Sequence, residues 1–287
     1  MSRTGSGARS GKVCGVNATS RSVAVVTGAA RGFGREIARR LLTRGHHVVI
    51  TDLDDQAVTV TAKELAHAGD GLVVGIAADA RVAADHRRVA AAAAELGPVT
   101  AWVNNAGVLR SGPVWDQPEA DQTLMVDVNI MGVIHGSRAA VEVMRDRGGH
   151  LLNIASMSAH GPVPGLAVYA ATKSAVLNFS TSLQGDLDLA RVPIRVHALC
   201  PDAADTALVR DEQASPDVAL LFSQRTLLTP GAVADAAVAL LDGRRVVRSL
   251  PTHRAGLARL GALIPRVALP VLALLRKQGD RRRTARA

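Results

Sequence analysis

Aromatic side chains are nearly missing from this 287-residue chain: one tyrosine, two tryptophans and three phenylalanines make up 2% of it. A core so short of rings must be built from Ala, Val, Leu and Ile, which suits Val/Ile strands covered by Ala/Leu helices. Cysteine is as scarce. Cys14 and Cys200 are too few for a disulfide framework and read as a thiol in the N-terminal segment and a small core residue. No uninterrupted apolar run reaches the ~18 residues of a membrane-spanning helix. Met1–Ser22 is polar and Gly/Ser-rich, without the apolar stretch of a signal peptide. These absences fit a reducing cytoplasm.

Acid is missing from one end and nearly so from the other. Residues 1–22 carry four basic side chains and no acid, and residues 251–287 carry nine against Asp280 alone. The stretch between them has 21 basic and 24 acidic residues, so the formal +9 of the chain belongs to its ends. Global basicity is therefore no argument for nucleic-acid binding by the body. No aromatic platform accompanies the arginines either, and no nucleic acid is expected as a partner.

Met1–Ser22 reads as a disordered leader. From Val23 onward, strand, turn and helix alternate. Strands are predicted at Val23–Thr27, Val48–Thr51, Leu72–Ala77, Val99–Val103, Leu151–Ala155, Ile194–Leu199 and Arg244–Leu250. Helices are predicted at Gly34–Arg44, Gln56–His67, Ala83–Leu96, Ala120–Arg145, Val168–Leu189 and Ala232–Leu241. Crossovers of this length imply a parallel sheet. The predicted fold is α/β, a single doubly wound parallel sheet of Rossmann type with helices on both faces, spanning residues 23–250. Ligands of such sheets bind beyond the carboxyl ends of the strands.

At the end of the first strand comes Thr27-Gly28-Ala29-Ala30-Arg31-Gly32-Phe33-Gly34, leading into a helix. Glycines there permit a tight turn and a close backbone approach to a pyrophosphate, with the helix N-terminus supplying free N–H donors. Asp52, ending the second strand, can accept both adenosine ribose hydroxyls and would repel a 2′-phosphate, which favours NAD over NADP. Arg31 is the counter-argument, since its guanidinium could pair with that phosphate or simply be solvated. Asp79, after the third strand, could reach the adenine or serve as an acid at a helix N-terminus. Tyr169, the one tyrosine, precedes Lys173 by four positions and shares its helix face. A nearby ammonium and a cationic nicotinamide ring would favour the phenolate and lower its pKa from about 10.

Taken in order, these segments resemble the short-chain dehydrogenase/reductase family. The glycine turn, Asn104-Asn105-Ala106-Gly107, Asn153-Ile154-Ala155-Ser156 and Tyr169-Ala170-Ala171-Thr172-Lys173 match its motifs across roughly Val23–Leu241. The resemblance implies a nicotinamide-dependent oxidoreductase acting on a secondary alcohol or ketone. It implies that Ser156 hydrogen-bonds the substrate oxygen, with Ser158 as the rival serine, and that Tyr169 exchanges a proton with it. It gives Lys173 the nicotinamide ribose and Asn129 a water relay behind the lysine. Gly28, Arg31, Gly32, Phe33, Gly34, Asp52, Asp79, Asn104, Asn105, Ala106, Gly107, Pro201 and Thr206 are implied around the cofactor, with Tyr169 and Lys173. A homodimer or homotetramer through the two long helices is implied as well. The other class of function that such a fold allows is a non-catalytic nicotinamide sensor or scaffold, which would not need Ser156, Tyr169 and Lys173 together.

After the sixth strand the sequence departs from the family pattern. Asp202 follows Pro201 where the family has glycine, and Ala204 stands where it has valine. A carboxylate there could stabilise an oxidised nicotinamide. Asp202–Leu228 is the expected substrate loop, with Leu208, Val209, Leu220, Leu221 and Phe222 available to wall an apolar pocket for a hydrophobic alcohol or ketone. Residues 251–287 read as a basic amphipathic tail, broken by Pro265 and Pro270. Three readings compete for it: a helix over the substrate mouth, an oligomer contact, or an interfacial helix giving peripheral membrane association.

Overall fold

A computed structural model describes residues 21–285. Seven strands, β1 (Val23–Thr27), β2 (His47–Asp52), β3 (Val73–Ala77), β4 (Val99–Asn104), β5 (Gly149–Ile154), β6 (Ile194–Pro201) and β7 (Val247–Leu250), form one sheet in the order β3-β2-β1-β4-β5-β6-β7. Every neighbouring pair is parallel. The helices are α1 (Gly32–Thr43), α2 (Asp55–Leu65), α3 (Ala83–Leu96), α4 (Glu119–Val126), α5 (Gly132–Met144), α6 (Ala167–Leu189), α7 (Ala207–Arg210), α8 (Pro230–Leu241), α9 (Thr252–Leu263) and α10 (Pro265–Thr284). This is the doubly wound α/β architecture that the alternation predicts.

The alternation of side chains along each strand builds the two layers. Val23 and Val25 of β1 face a cluster with Val89 and Ala93 of α3 and Ala140 and Met144 of α5. Ala24 and Val26 face the opposite cluster, with Ile37 and Leu41 of α1 and Val233 and Ala237 of α8. The strand order turns back between β1 and β4, so their carboxyl ends part and leave a crevice. A third apolar cluster, including Leu109, Met125, Leu166, Tyr169, Val209 and Phe222, sits at that end of the sheet.

Three sequence expectations are corrected. The disordered leader was drawn to Ser22, yet Arg21 donates to the Asp70 carbonyl and the Ser22 hydroxyl bonds His46 Nδ1 at 2.9 Å. Those two residues belong to the body; the rest of the leader, with Cys14, lies outside the described residues. The single helix Ala120–Arg145 contains a π-helical turn, Asp127–Met131, between α4 and α5. One extra residue per turn leaves the apolar pattern legible as a helix, so periodicity does not reveal it. Pro270 does not break the tail. Pro265 starts α10 at a position proline favours, and Pro270 in the second turn forgoes one backbone bond. Residues 252–284 form two helices folded back onto the body, in keeping with the reading of the tail as a helix over the substrate mouth, with α10 packed along the 3-10 helix Pro216–Phe222. Gly279 makes that approach possible: a Cβ there would overlap the Ala219 carbonyl.

Candidate active site

The glycine turn joins β1 to α1. Gly28 has φ +59°, and a Cβ on it would come 2.7 Å from Ala106 Cα, so both conformation and space demand glycine. Gly34 is a packing glycine, its virtual Cβ 2.5 Å from the Gly28 carbonyl, and it does not line the cavity. Asn105 braces the turn from the neighbouring strand, donating its amide to the Thr27 and Gly28 carbonyls at 2.9 and 2.8 Å. The first turn of α1 is left open, because Arg31 at its N-cap makes no side-chain cap. By contrast, Asp54 caps α2 and Thr229 caps α8. Open N–H donors beside glycines that face a cavity suit a pyrophosphate.

That cavity, about 1090 Å³, runs along the carboxyl edge of the sheet. Gly28, Arg31, Gly32, Phe33, Asp52, Asp79, Asn105, Ala106, Gly107, Pro201 and Thr206 all line it. Asp52 Oδ2 also accepts from the Ala30 amide at 3.1 Å. Asp79 is held by Arg81, whose guanidinium at 2.6 Å keeps the carboxyl below its usual range. The helix-acid role falls instead to Asp85 in the first turn of α3, which accepts from the Asp79 amide at 2.8 Å.

At the other end of the cavity stand Ser156, Tyr169 and Lys173. Ser156 ends the turn after β5, and its Oγ accepts from the Ser158 amide at 3.2 Å. Its side chain stands near enough to the Tyr169 hydroxyl to favour the phenolate. On α6, Tyr169, Lys173, Val176, Ser180, Gln184 and Leu187 form a buried stripe at helical spacing. Lys173 Nζ lies 5.8 Å from the centre of the Tyr169 ring and donates to the Ile154 carbonyl at 3.0 Å. The lowered phenol pKa expected from the sequence counts on a nicotinamide cation as well as Lys173; the chain's own groups act in the other direction. Burial pushes Tyr169 up to about 12, with Ser156 opposing it. Burial also brings Lys173 down to about 8, which weakens the ammonium meant to stabilise a phenolate. Ser158, the rival serine, also lines the cavity, and its buried hydroxyl has no hydrogen-bond partner among the described residues.

Asn129 and Asn104 stand one layer back. Asn129 is fully buried in the π turn and does not line the cavity. Its Oδ1 accepts from the Val108 amide at 2.9 Å, and its Nδ2 donates to the Val108 carbonyl and to Thr172 Oγ1 at 2.9 and 3.1 Å. Asn104, placed beside the cofactor by the sequence reading, is instead in the core. It accepts from Trp102 Nε1 and donates to Ser137 and Asn153, and Asn153 donates to Ser180. This polar chain ties β4, α5, β5 and α6 together. Gly136 gives it room, since a Cβ there would collide with Asn104. The repeated Asn and Ser at buried strand and helix positions are its only sequence signal.

The remaining wall is apolar. Leu208, Val209, Leu220 and Leu221 line it as expected, whereas Phe222 is sealed in the core. The reading of the tail as a helix over the substrate mouth covers the residues that α9, α10 and their junction add: Leu257, Leu260, Ile264, Val267, Val271 and Leu275. Asp202 does not present a free carboxylate to the cavity. Its Oδ2 lies 2.8 Å from Arg254 on α9 and accepts from Gln224, and its Oδ1 accepts from the Ala203 amide.

A family model described as short chain dehydrogenase matches residues 22–217. The chain is 32% identical over 258 residues to the probable oxidoreductase EphD of Mycobacterium tuberculosis, covering 84% of this chain and 43% of that one. It thus spans less than half the length of that relative. Among solved structures it is similar to a short-chain dehydrogenase/reductase of Burkholderia phymatum in complex with NAD, at TM-score 0.77 and 29% identity over 84% of this chain and 92% of that one. It is also similar to actinorhodin polyketide ketoreductase with NADPH, at TM-score 0.69 and 32% identity over 78% and 90% of the two chains. This chain belongs to the short-chain dehydrogenase/reductase family.

Proposed function

We propose that the protein transfers a hydride between a nicotinamide cofactor and a secondary alcohol or ketone with an apolar body, with Tyr169 exchanging the proton. One observation carries this reading: Ser156, Tyr169 and Lys173 meet in a single cavity, between a glycine-turn floor and an apolar wall. Gly28, Gly32, Asn105 and Ala106 shape the pyrophosphate end, and Asp52 offers its carboxylate to a ribose, favouring NAD over NADP. The bound cofactor supplies or accepts the hydride at its nicotinamide ring; the chain supplies alignment and the proton.

In the reducing direction Tyr169 donates its hydroxyl proton to the substrate oxygen, which Ser156 holds by a second hydrogen bond. A phenol pushed up to about 12 keeps that proton at neutral pH, which suits it to the acid role. In the oxidising direction the phenol must lose its proton first, and Lys173 assists in its ammonium form. Asn129 acts through others: it fixes Val108 and Thr172, the neighbour of Lys173. Assembly as a dimer or tetramer through α4–α5 and α6, in the cytoplasm, belongs to the same proposal.

A spectrophotometric screen of apolar ketones and alcohols with both nicotinamides tests it. Turnover by the wild type and none by Tyr169→Phe is the expected result. Binding of either nicotinamide without turnover of any carbonyl would favour the sensor reading.

A further inference from the structure

We propose that the α9–α10 hairpin docks on an anionic lipid surface and forms the mouth through which a bilayer-dissolved alcohol or ketone with a long apolar chain enters. This rests on the reading of the cavity above as the substrate site. The hairpin is apolar on its outside as well as on its inside. Leu257 lines the cavity and is still 68% exposed, and Leu260, Ile264, Val267 and Val271 likewise both line it and reach solvent. The cavity wall thus continues onto the surface of the molecule. Beyond the wall, Leu263 and Leu274 do not line the cavity and are 79% and 67% exposed. So large an apolar patch on the outside of two packed helices marks a binding surface.

The charge on this face selects the occupant. Between Leu257 and Leu275 the charged residues are Arg259 and Arg266, both exposed, and no acid occurs from Pro251 to Gly279. Exposed leucines flanked by arginines suit anionic headgroups above acyl chains. A second copy of the chain applied to the same face about a twofold axis would bring Arg259 and Arg266 against like charge. The hairpin is also anchored for the task. Arg254 pairs with Asp202, Arg276 with Asp217 at 2.6 Å, and Arg283 donates to the Gln213 and Ala214 carbonyls. Both ends are thereby fixed while the leucines between them stay outside. Among the described residues no helix is long and apolar enough to cross a membrane, so contact through these helices is with the surface layer.

Flotation of the full-length protein with phosphatidylcholine vesicles, with and without phosphatidylglycerol, tests the docking. The wild type should float with the phosphatidylglycerol vesicles and less so as salt rises. The double variant Leu263→Asp/Leu274→Asp should partition at least tenfold less. It should keep the wild-type rate on a short water-soluble ketone and lose rate on a long-chain ketone presented in the vesicles. The proposal is overturned if the wild type stays in the aqueous fraction with phosphatidylglycerol present, or if the double variant floats equally. A wild-type dimer in light scattering that this variant splits would also overturn it, in favour of a second copy. Flotation is read without cofactor or turnover, so a failed catalytic reading is distinguishable from failed docking.

Discussion

Asp202 and Arg254 form an ion pair, 2.8 Å between carboxylate oxygen and guanidinium nitrogen, that joins the loop after β6 to the first turn of α9. Both side chains are largely buried, and Gln224 donates to the same carboxylate oxygen. A residue that departs from the family pattern thus helps to hold the helical cover of the cavity. Its carboxylate is neutralised by Arg254 and has no free charge to lend to a nicotinamide.

Breaking such a pair on one side leaves the other charge buried. Arg254→Met should therefore destabilise the protein by about 3 kcal/mol, whereas adding Asp202→Gly should restore much of the loss. Urea unfolding of both variants checks this. The double variant should leave the ratio of NAD⁺ to NADH affinity unchanged in calorimetry, and a changed ratio would return Asp202 to a role at the cofactor.

Tyr169→Phe removes one hydroxyl, beside Ser156, and leaves the ring in place. Turnover should fall by roughly 10²–10⁴-fold or more, the range of general acid–base contributions, with cofactor affinity and unfolding midpoint little changed. Steady-state rates beside calorimetric binding separate the two effects. Retention of most of the rate would point to another acid, with Ser158 and its hydroxyl, unpartnered among the described residues, the first to examine.

Lys173 should weaken the fold that it serves. Burial lowers its amine from 10.5 to about 8, so at neutral pH a charged group sits in the core at a cost of roughly 3 kcal/mol. The hydrogen bond to Ile154 offsets about 1–2 kcal/mol of that. Lys173→Met should thus be inactive yet more stable than the wild type by about 1–2 kcal/mol at pH 7. Below pH 8 the lysine is protonated in both the folded and unfolded chain, and the full penalty applies. Between about 8 and 10.5 the unfolded chain binds the proton that the folded one has lost, so wild-type stability rises with pH and the gap closes. Thermal melts from pH 7 to pH 10 follow this directly, and a constant gap would contradict it.

Asp52→Ala should narrow the proposed preference for NAD, because the carboxylate that would repel a 2′-phosphate is gone while Arg31 remains at the cavity. The comparison is kcat/KM with each nicotinamide. A parent enzyme that already prefers NADP would show that Arg31 outweighs Asp52.

The architecture was legible because each strand carries its own evidence. Val23–Thr27 is wholly buried and apolar up to its last residue, and Ala83–Leu96 has helical spacing bounded by Gly97, so its predicted ends match those observed. The glycine turn and the Tyr169–Lys173 pair were equally legible, since their geometry is set within a few residues of chain. The π turn at Asn129, the interior position of Asn104 and the clasp between Asp202 and Arg254 were not. Each depends on side chains brought together from distant strands and helices, and no local pattern encodes such a meeting.

The order of residues alone therefore determined the sheet, its crossovers and the spacing of serine, tyrosine and lysine, because hydrophobic periodicity and turn chemistry act over short range. Only the tertiary structure decided that the chain's own groups raise the phenol and that the basic C-terminal segment closes the apolar side of the cavity. Desolvation depends on everything packed around a group, and so does the partner a charge finds; neither exists until the chain has folded.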